Sequence, residues 1–508
     1  MVCECHILVQ VGREGQFTKA LWTDTWCSAV VQPFFGQLAD VFGRRWPVIF
    51  SVAMFALGSG IAGGSTSADM LIAGRTLQGI GLGGVNMLID IIVCDLVPQR
   101  KRGAILGVIF AVFATGSSLG PFIGGALVDH SSWRWVFYLG LPVSGVALLL
   151  LLLFLQVNYN KESTVAEKLK RLDYIGNAIL VLSMVSILIA LTYGGTLRSW
   201  ASWHTILPLV LGLLGYVGFH VWEATGWQSE PVMPARLFKN RTSFVAFILV
   251  FLHGMLLYWI TYFLPVYFHS VLLSSPTRSG VQFLPTIIVV IPFAIIAGGL
   301  ITTTGRYKPL CIAGFALQSL GLGLFTTLNI SSTTAEWTVF QIIAAAGVGL
   351  VTTSILPAVQ VELPESDVAA STATWSFLRS LGNIWGVSIP AAIFNNRFEH
   401  PSAQISDGDV RNMLQRGVAY EKASSTFINS FDEPLRSQIL MTYQGALQRV
   451  WQISILFALL GFVAAWGLRE VKLKRILRLI LGCAKGAPRE TACDQLRAVF
   501  ASTSTNLN

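Results

Sequence analysis

Charged residues are scarce in this chain. Only 12% of its 508 residues are Asp, Glu, Lys or Arg, about half the share a soluble domain carries, so a water-borne globule is excluded. Paired cysteines are lacking too. Cys3, Cys5, Cys27, Cys94, Cys311, Cys483 and Cys493 are scattered, and Cys3 with Cys5 has no second pair at zinc-like spacing, so no metal is expected. No signal-peptide pattern follows Met1. The absence of a Gly-x-x-x-x-Gly-Lys-Ser/Thr loop disfavours ATP-driven work, and no Ser, Cys or His constellation suggests catalysis. Neither an enzyme nor a cofactor is expected. The short alternating segments of a β-barrel are also missing.

Long apolar runs are what the chain has instead. It is 53% hydrophobic with a mean hydropathy of +0.63, and stretches of about 18 or more apolar residues recur, each a candidate spanning helix. Thirteen such stretches fall near 21–38, 47–66, 70–95, 104–127, 135–157, 175–193, 204–222, 243–266, 281–301, 309–328, 336–358, 370–392 and 448–467. The fold class is therefore all-α, polytopic and membrane-embedded, with the lipid bilayer as its first partner.

The net charge of +9 does not point to nucleic acid, because the basic residues cluster in short loops between apolar runs. Alternate loops hold Arg44/Arg45, Arg100/Lys101/Arg102, Lys161 to Arg171, Arg236/Lys239/Arg241, Arg306/Lys308 and Lys472/Lys474/Arg475, whereas the others hold only Arg134, Arg198 and Arg278. By the positive-inside rule the first set is cytosolic. The long 394–446 loop then faces outside, as does the sequon Asn329-Ile330-Ser331, a glycosylation candidate.

An internal repeat organises the chain. A shift of 262 carries Gly36, Leu38, Gly43, Arg44 and Pro47 onto Gly298, Leu300, Gly305, Arg306 and Pro309, and Leu119-Gly120 and Gly124 onto Leu381-Gly382 and Gly386. The expectation is two pseudo-symmetric six-helix bundles plus a two-helix insert. The helix at 243–266 opens the second bundle, and its counterpart falls before residue 1. This predicts a missing first helix, through a late gene-model start or a genuine truncation. The expected organisation is 1–20 outside the membrane, 21–157 first bundle, 158–174 cytosolic linker, 175–222 insert, 243–467 second bundle, and 468–508 cytosolic tail.

Three motifs carry the chemistry. Gly36-Gln37-Leu38-Ala39-Asp40-Val41-Phe42-Gly43-Arg44-Arg45 combines glycines for a tight turn with an aspartate that can meet a helix N-terminus or an arginine. Arg44 and Arg45 suit the anionic inner leaflet; an ordinary topogenic turn is the plainer reading. In Gly74-Arg75-Thr76-Leu77-Gln78-Gly79 a spanning helix carries an arginine, which costs roughly 2.5 kcal/mol or more unless it faces a cavity or partner. Arg75, Gly79, Asn86 and Asp90 lie within about 60° of one face. Arg75 and Asp90 are roughly 22 Å apart along the axis and cannot pair. Asp90 is the candidate titrating group, Arg75 could instead snorkel to water, and Asp95 reads as a solvated helix end. Third, Gly116, Gly120, Pro121, Gly124 and Gly125 allow close crossing and a kink, or serve as generic packing.

These motifs resemble, in order, the loop 2–3 signature, the fourth-helix proton-coupling motif and the fifth-helix antiporter motif of the major facilitator superfamily. Trp133-Arg134-Trp135-Val136-Phe137 and Arg379-Ser380-Leu381-Gly382-Asn383 extend the likeness to the fourteen-span drug:proton antiporters, most closely their fungal members. The resemblance implies a conformational latch at Gly36, Asp40, Gly43, Arg44 and Arg45, proton coupling through Arg75 and Asp90, and antiport. The family's first-helix Leu-Asp-x-Thr motif is absent. Aromatic and polar residues in the second half, His253, Tyr258, Tyr262, Trp375, Arg379 and Asn383, together with Asn86, form a candidate wall for planar apolar ligands, or an ordinary interfacial belt. The expected function is export of small amphiphilic molecules against protons by a monomer. An uptake symporter or facilitator, a sensor and an inactive truncation stay open. The plasma membrane is the expected location, a vacuolar or other endomembrane the alternative.

Overall fold

The computed structural model of the chain describes residues 14–97, 101–102, 104–110, 112–113, 115–116, 123, 127, 131–155, 171–194, 200–225, 231–399, 405–414, 419–420 and 422–471. Among these, every extended regular element is a helix. Hydrocarbon offers backbone N–H and C=O groups no partner, and a helix satisfies them internally.

The first half consists of α1 (Glu14–Phe42), α2 (Arg45–Gly63), α3 (Ala68–Leu96), helical residues within 101–127, and α4 (Arg134–Tyr138) running into α5 (Gly140–Phe154). The insert is α6 (Tyr174–Tyr193) and α7 (Trp203–Ala224). A 3-10 turn at Ala235–Phe238 leads to α8 (Arg241–Ser270), α9 (Pro276–Thr304), α10 (Lys308–Phe325) and α11 (Thr334–Gln360). A second such turn, Glu365–Asp367, precedes α12 (Val368–Glu399), and short α13 (Gly408–Leu414) and α14 (Ser425–Ile428) lead to α15 (Leu435–Trp466). Eleven helical segments among the described residues are long and apolar enough to cross a bilayer. The chain is a multi-pass membrane protein.

The repeat is visible in the element boundaries. Adding 262 to α1, α2 and α3 gives 276–304, 307–325 and 330–358, which overlie α9, α10 and α11. Gly43 and Gly305, which match at this offset, both hold a left-handed backbone, with φ of 79° and 72°. This is the conformation that favours glycine, and here it turns one span into the next.

Two elements differ from the sequence expectation. α1 is one 29-residue helix beginning at Glu14, within the stretch 1–20 expected to lie outside the membrane. The 394–446 segment is not a plain loop, since α12 runs on to Glu399, α15 starts at Leu435, and α13 and α14 lie between. Polar composition marks where a chain leaves the bilayer, not where its helix stops.

Packing is uneven. α8 anchors the largest apolar cluster, in which Trp259, Phe263 and Phe268 meet Phe325 and Trp451. α5 and α7 instead turn Leu153 (59% exposed) and Leu214 (62% exposed) outward, as lipid-facing helices do. α6 touches both halves: Leu180, Met184 and Ile187 pack with Ala29 and Val30 of α1 and with Phe377 and Ile384 of α12. Asn177 Nδ2 also donates to Gln37 Oε1 at 2.8 Å.

Candidate functional site

The two halves meet along α1 and α3 on one side and α12 on the other. At their centre an ion pair joins them. Arg379 Nη2 lies 3.3 Å from Asp90 Oδ2, with side-chain exposures of 17% and 6%. The guanidinium stacks over the Trp375 ring at 4.3 Å and over Phe110 at 5.5 Å, an arrangement suited to its planar delocalised charge. Ser376 Oγ accepts from the same nitrogen at 3.5 Å. Arg379 Nη1 is buried without a hydrogen-bond partner. A half-buried guanidinium and a buried carboxylate, one per half, make a contact whose strength depends directly on protonation of the carboxylate.

The arginine expected to work with Asp90 lies elsewhere. Arg75 is buried inside the first half, donating from Nη1 to Gln78 Oε1 at 3.0 Å, while Gln78 Nε2 donates to Ser59 Oγ at 2.9 Å. Its guanidinium lies over Phe137 at 5.7 Å. Gly74 permits this crossing, because a methyl there would come within 2.7 Å of Ala62 N. The stripe on α3 exists, but the partner of Asp90 is Arg379, which the sequence assigns to the substrate wall.

Further polar ties gather towards the Arg44 end. Gln32 Nε2 donates to Ser380 Oγ at 2.9 Å. Arg102 donates from Nε to Val97 O at 2.9 Å, from Nη2 to Cys94 O at 2.6 Å, and across to Gln360 Oε1 at 2.5 Å. Gln360 Nε2 in turn donates to Thr372 Oγ1 at 2.8 Å. Gly36 lets the halves close here: a methyl on it would stand 2.9 Å from Ala373 Cβ of α12. Each tie lies in the half of its helices nearest Arg44.

The 36–45 segment, which is the end of α1 and the tight turn at Gly43-Arg44, forms a charge triad. Arg44 reaches Asp40 Oδ1 from Nη2 at 3.3 Å and Asp95 Oδ2 from Nε at 2.8 Å, and donates from Nη1 to Ala39 O at 2.9 Å. Asp95 is therefore not a merely solvated helix end, as its basic neighbourhood in sequence suggests. It ties α3 to the turn. Arg45 donates to Leu152 O at 2.9 Å. In the second copy Arg306 pairs with Glu470 at 3.1 Å, and Thr302, in the place of Asp40, donates back to Gly298 O.

The remaining sequence candidates divide. His253 is buried and meets Thr352 Oγ1 at 3.0 Å, and Trp375 is buried beneath Arg379. The Asn383 amide bridges α8 and α12, its nitrogen donating to Gly254 O at 3.2 Å and Arg379 O at 3.1 Å. Tyr258 and Tyr262, with ring centroids 5.7 Å apart, and Asn86 are only partly buried. Gly116 is exposed with open space around it, whereas Gly120, Pro121, Gly124 and Gly125 lie outside the described residues. Asn329 sits in the loop between α10 and α11, its side-chain oxygen accepting from Ser331 N at 2.8 Å. Among the described residues no three His, Cys, Asp or Glu side chains gather as metal ligands do. The ties made by Gln32, Gln37, Arg102, Gln360 and Ser380 were not legible in the sequence. Each residue is an ordinary polar one until a partner some 140 to 350 positions away meets it.

Comparison with known proteins adds to this geometry. The family model described as Major Facilitator Superfamily matches residues 20–387. The MFS-type efflux transporter ffsH of Aspergillus flavipes is 47% identical over 90% of this chain and 81% of its own length. The efflux pump FUS6 of Gibberella fujikuroi is 42% identical over 95% of this chain and 87% of its own. Among solved structures, the human organic anion transporter MFSD10 superposes with a TM-score of 0.55 at 17% identity, covering 91% of this chain and 88% of that one. The proton:xylose symporter XylE gives 0.53 at 14% identity, covering 90% and 87%. At these identities the structures speak for the fold alone.

Proposed function

Because the chain belongs to the major facilitator superfamily and is thus a membrane transporter, not an enzyme, we propose that it exports small amphiphilic molecules in exchange for protons, by alternating access. The Asp90–Arg379 pair carries this reading. It is an ion pair between the two halves whose carboxylate is buried. A proton arriving on Asp90 cancels the attraction and leaves Arg379 held by its stacking on Trp375 and Phe110 and its bond to Ser376 Oγ, all within or beside its own helix. The state closed at the Arg44 end then loses one of its ties, and the alternative state gains population. A gradient can drive the cycle because the proton binds the two states with different free energy. Efflux is the direction supported by the fungal relatives, which carry the word in their names. Tyr258, Tyr262 and Asn86, partly open, line the proposed substrate path with Asn383 beside them, while Arg75 braces the first half. Asp40, Arg44 and Asp95 latch the basic end. The plasma membrane is the proposed location and a monomer the proposed form.

Flux in proteoliposomes under an imposed pH gradient tests the assignment. Asp90→Asn and Arg379→Gln should each abolish gradient-driven export while protein yield in the membrane is retained. Arg75→Ala should lose export too, because its contacts to Gln78 and to the Phe137 ring brace the first half. Gradient-driven flux at the parent rate in Asp90→Asn would sink the proposal, and flux in the opposite direction would identify an uptake symporter.

A further inference from the structure

A cleft between α12 and α15, at the end opposite Arg44, encloses about 430 Å³ and is lined by Arg397, Gly445, Gln448, Arg449 and Gln452. Among the described residues its wall has two positive charges and no carboxylate. Neither arginine has an ion pair among the described residues. Arg449 Nη1 donates to Gln452 Oε1 at 3.1 Å, so both side chains belong to the same wall of the cleft. A methyl on Gly445 would meet nothing within 4 Å, so the space is open towards that residue.

The position of the cleft identifies what it faces. Gly445, Arg449, Gln452, Leu456, Leu460 and Val463 lie within about 80° of one side of α15. Below the polar group this side is exposed and apolar, with Leu456 at 58% and Val463 at 66%. α15 packs its other sides on α8, α10 and α12, so this stripe looks into lipid. Exposed Trp466 marks the boundary at the Arg44 end. Arg449 is seventeen residues away, roughly 25 Å along the helix, against about 30 Å of hydrocarbon. That puts its charge at the far boundary, where lipid phosphates sit. Phe394 and Phe398 of α12 pack on Tyr443 at 5.8 and 4.8 Å, which brings Arg397 level with Gly445, about 6 Å further out.

We propose that this cleft holds the phosphate of an anionic membrane phospholipid, its acyl chain lying along Leu456 and Val463, so that the lipid clamps α12 to α15. Guanidinium groups bind phosphate oxygens bidentately. The two glutamines complete a donor-rich wall, a set suited to the phosphate of a lipid whose head group carries no cation of its own. The clamp is mechanically placed, because α12 also carries Arg379. This proposal does not depend on what the protein transports.

Purified full-length protein in mild detergent, titrated with phosphatidylglycerol and followed by thermal unfolding and by native mass spectrometry, tests it. The parent should gain thermal stability and retain bound phosphatidylglycerol. The double variant R397Q/R449Q should bind it about tenfold more weakly or worse. Gly445→Leu fills the cleft from a position where a side chain has room, so it should fold normally yet lose the stabilisation. An equal response to phosphatidylcholine, a response to inorganic phosphate alone, or a phosphatidylglycerol shift that survives in both variants would overturn the proposal.

Discussion

Removing Gln360 should loosen the two halves at the Arg44 end without unfolding either. Arg102 donates to three acceptors, and two of them, Val97 O and Cys94 O, belong to its own half. Gln360→Ala deletes the Arg102 bond that crosses to the other half, together with the weaker contact of Gln360 Nε2 to Cys94 Sγ, while the guanidinium keeps partners in its own half. Thr372 still donates to Val368 O at 2.7 Å. A hydrogen bond to a charged group is worth about 1.5–3 kcal/mol. Taking about 2 kcal/mol, the population parted at this end should rise roughly 30-fold. The molecule contains its own reporter. Cys94 is 1% exposed, with its sulfur 3.5 Å from Gln360 Nε2, so a maleimide reaches it only when the halves separate there. The assay is the alkylation rate of Cys94 in the full chain with the other six of its seven cysteines changed to serine. Gln32→Ala removes a neutral tie further along the same seam and should raise the rate about fivefold, as expected for about 1 kcal/mol. Thr286→Val breaks a buried bond of 2.8 Å to Gln341 wholly inside the second half and should leave the rate unchanged. If Gln360→Ala leaves Cys94 at the parent rate, or Thr286→Val accelerates it equally, Arg102 and Gln360 do not hold the halves together.

Gly36→Val should keep α1 from closing on Ala373 and abolish flux, with membrane expression retained; normal flux would show that the contact is not obligatory. Asp95→Asn and Arg44→Ala should be non-additive in a double-mutant cycle of thermal stability, with a coupling of about 0.5–1 kcal/mol, modest because Asp95 is 35% exposed. Additive effects would dissolve the triad. In a glycosylating host, Asn329→Gln should raise the electrophoretic mobility of the protein, and unchanged mobility would leave that sequon unused or on the wrong side.

Periodicity, apolar run length and loop charge carried most of the architecture in the sequence. Spans can be read because hydrocarbon imposes one requirement on every residue within it. The repeat can be read because Gly43 and Gly305 need the same backbone, and that need survives where Asp40 has become Thr302. Helix ends beyond the bilayer were less legible. The membrane sets no limit at Glu399 or Leu435, and tertiary contacts such as Phe398 on Tyr443 extend those helices.

The site divides along the same line. Its residues stood out one by one in the sequence, since an aspartate or arginine in an apolar run is costly wherever it points. Their pairing did not. Helix geometry showed that Asp90 could not reach Arg75, but only the packing of α3 on α12 brings Arg379, 289 positions away, within 3.3 Å. The cost of a buried charge depends on the residue and its depth, both local to the sequence. What relieves that cost comes from another helix, and the choice of helix belongs to the tertiary structure.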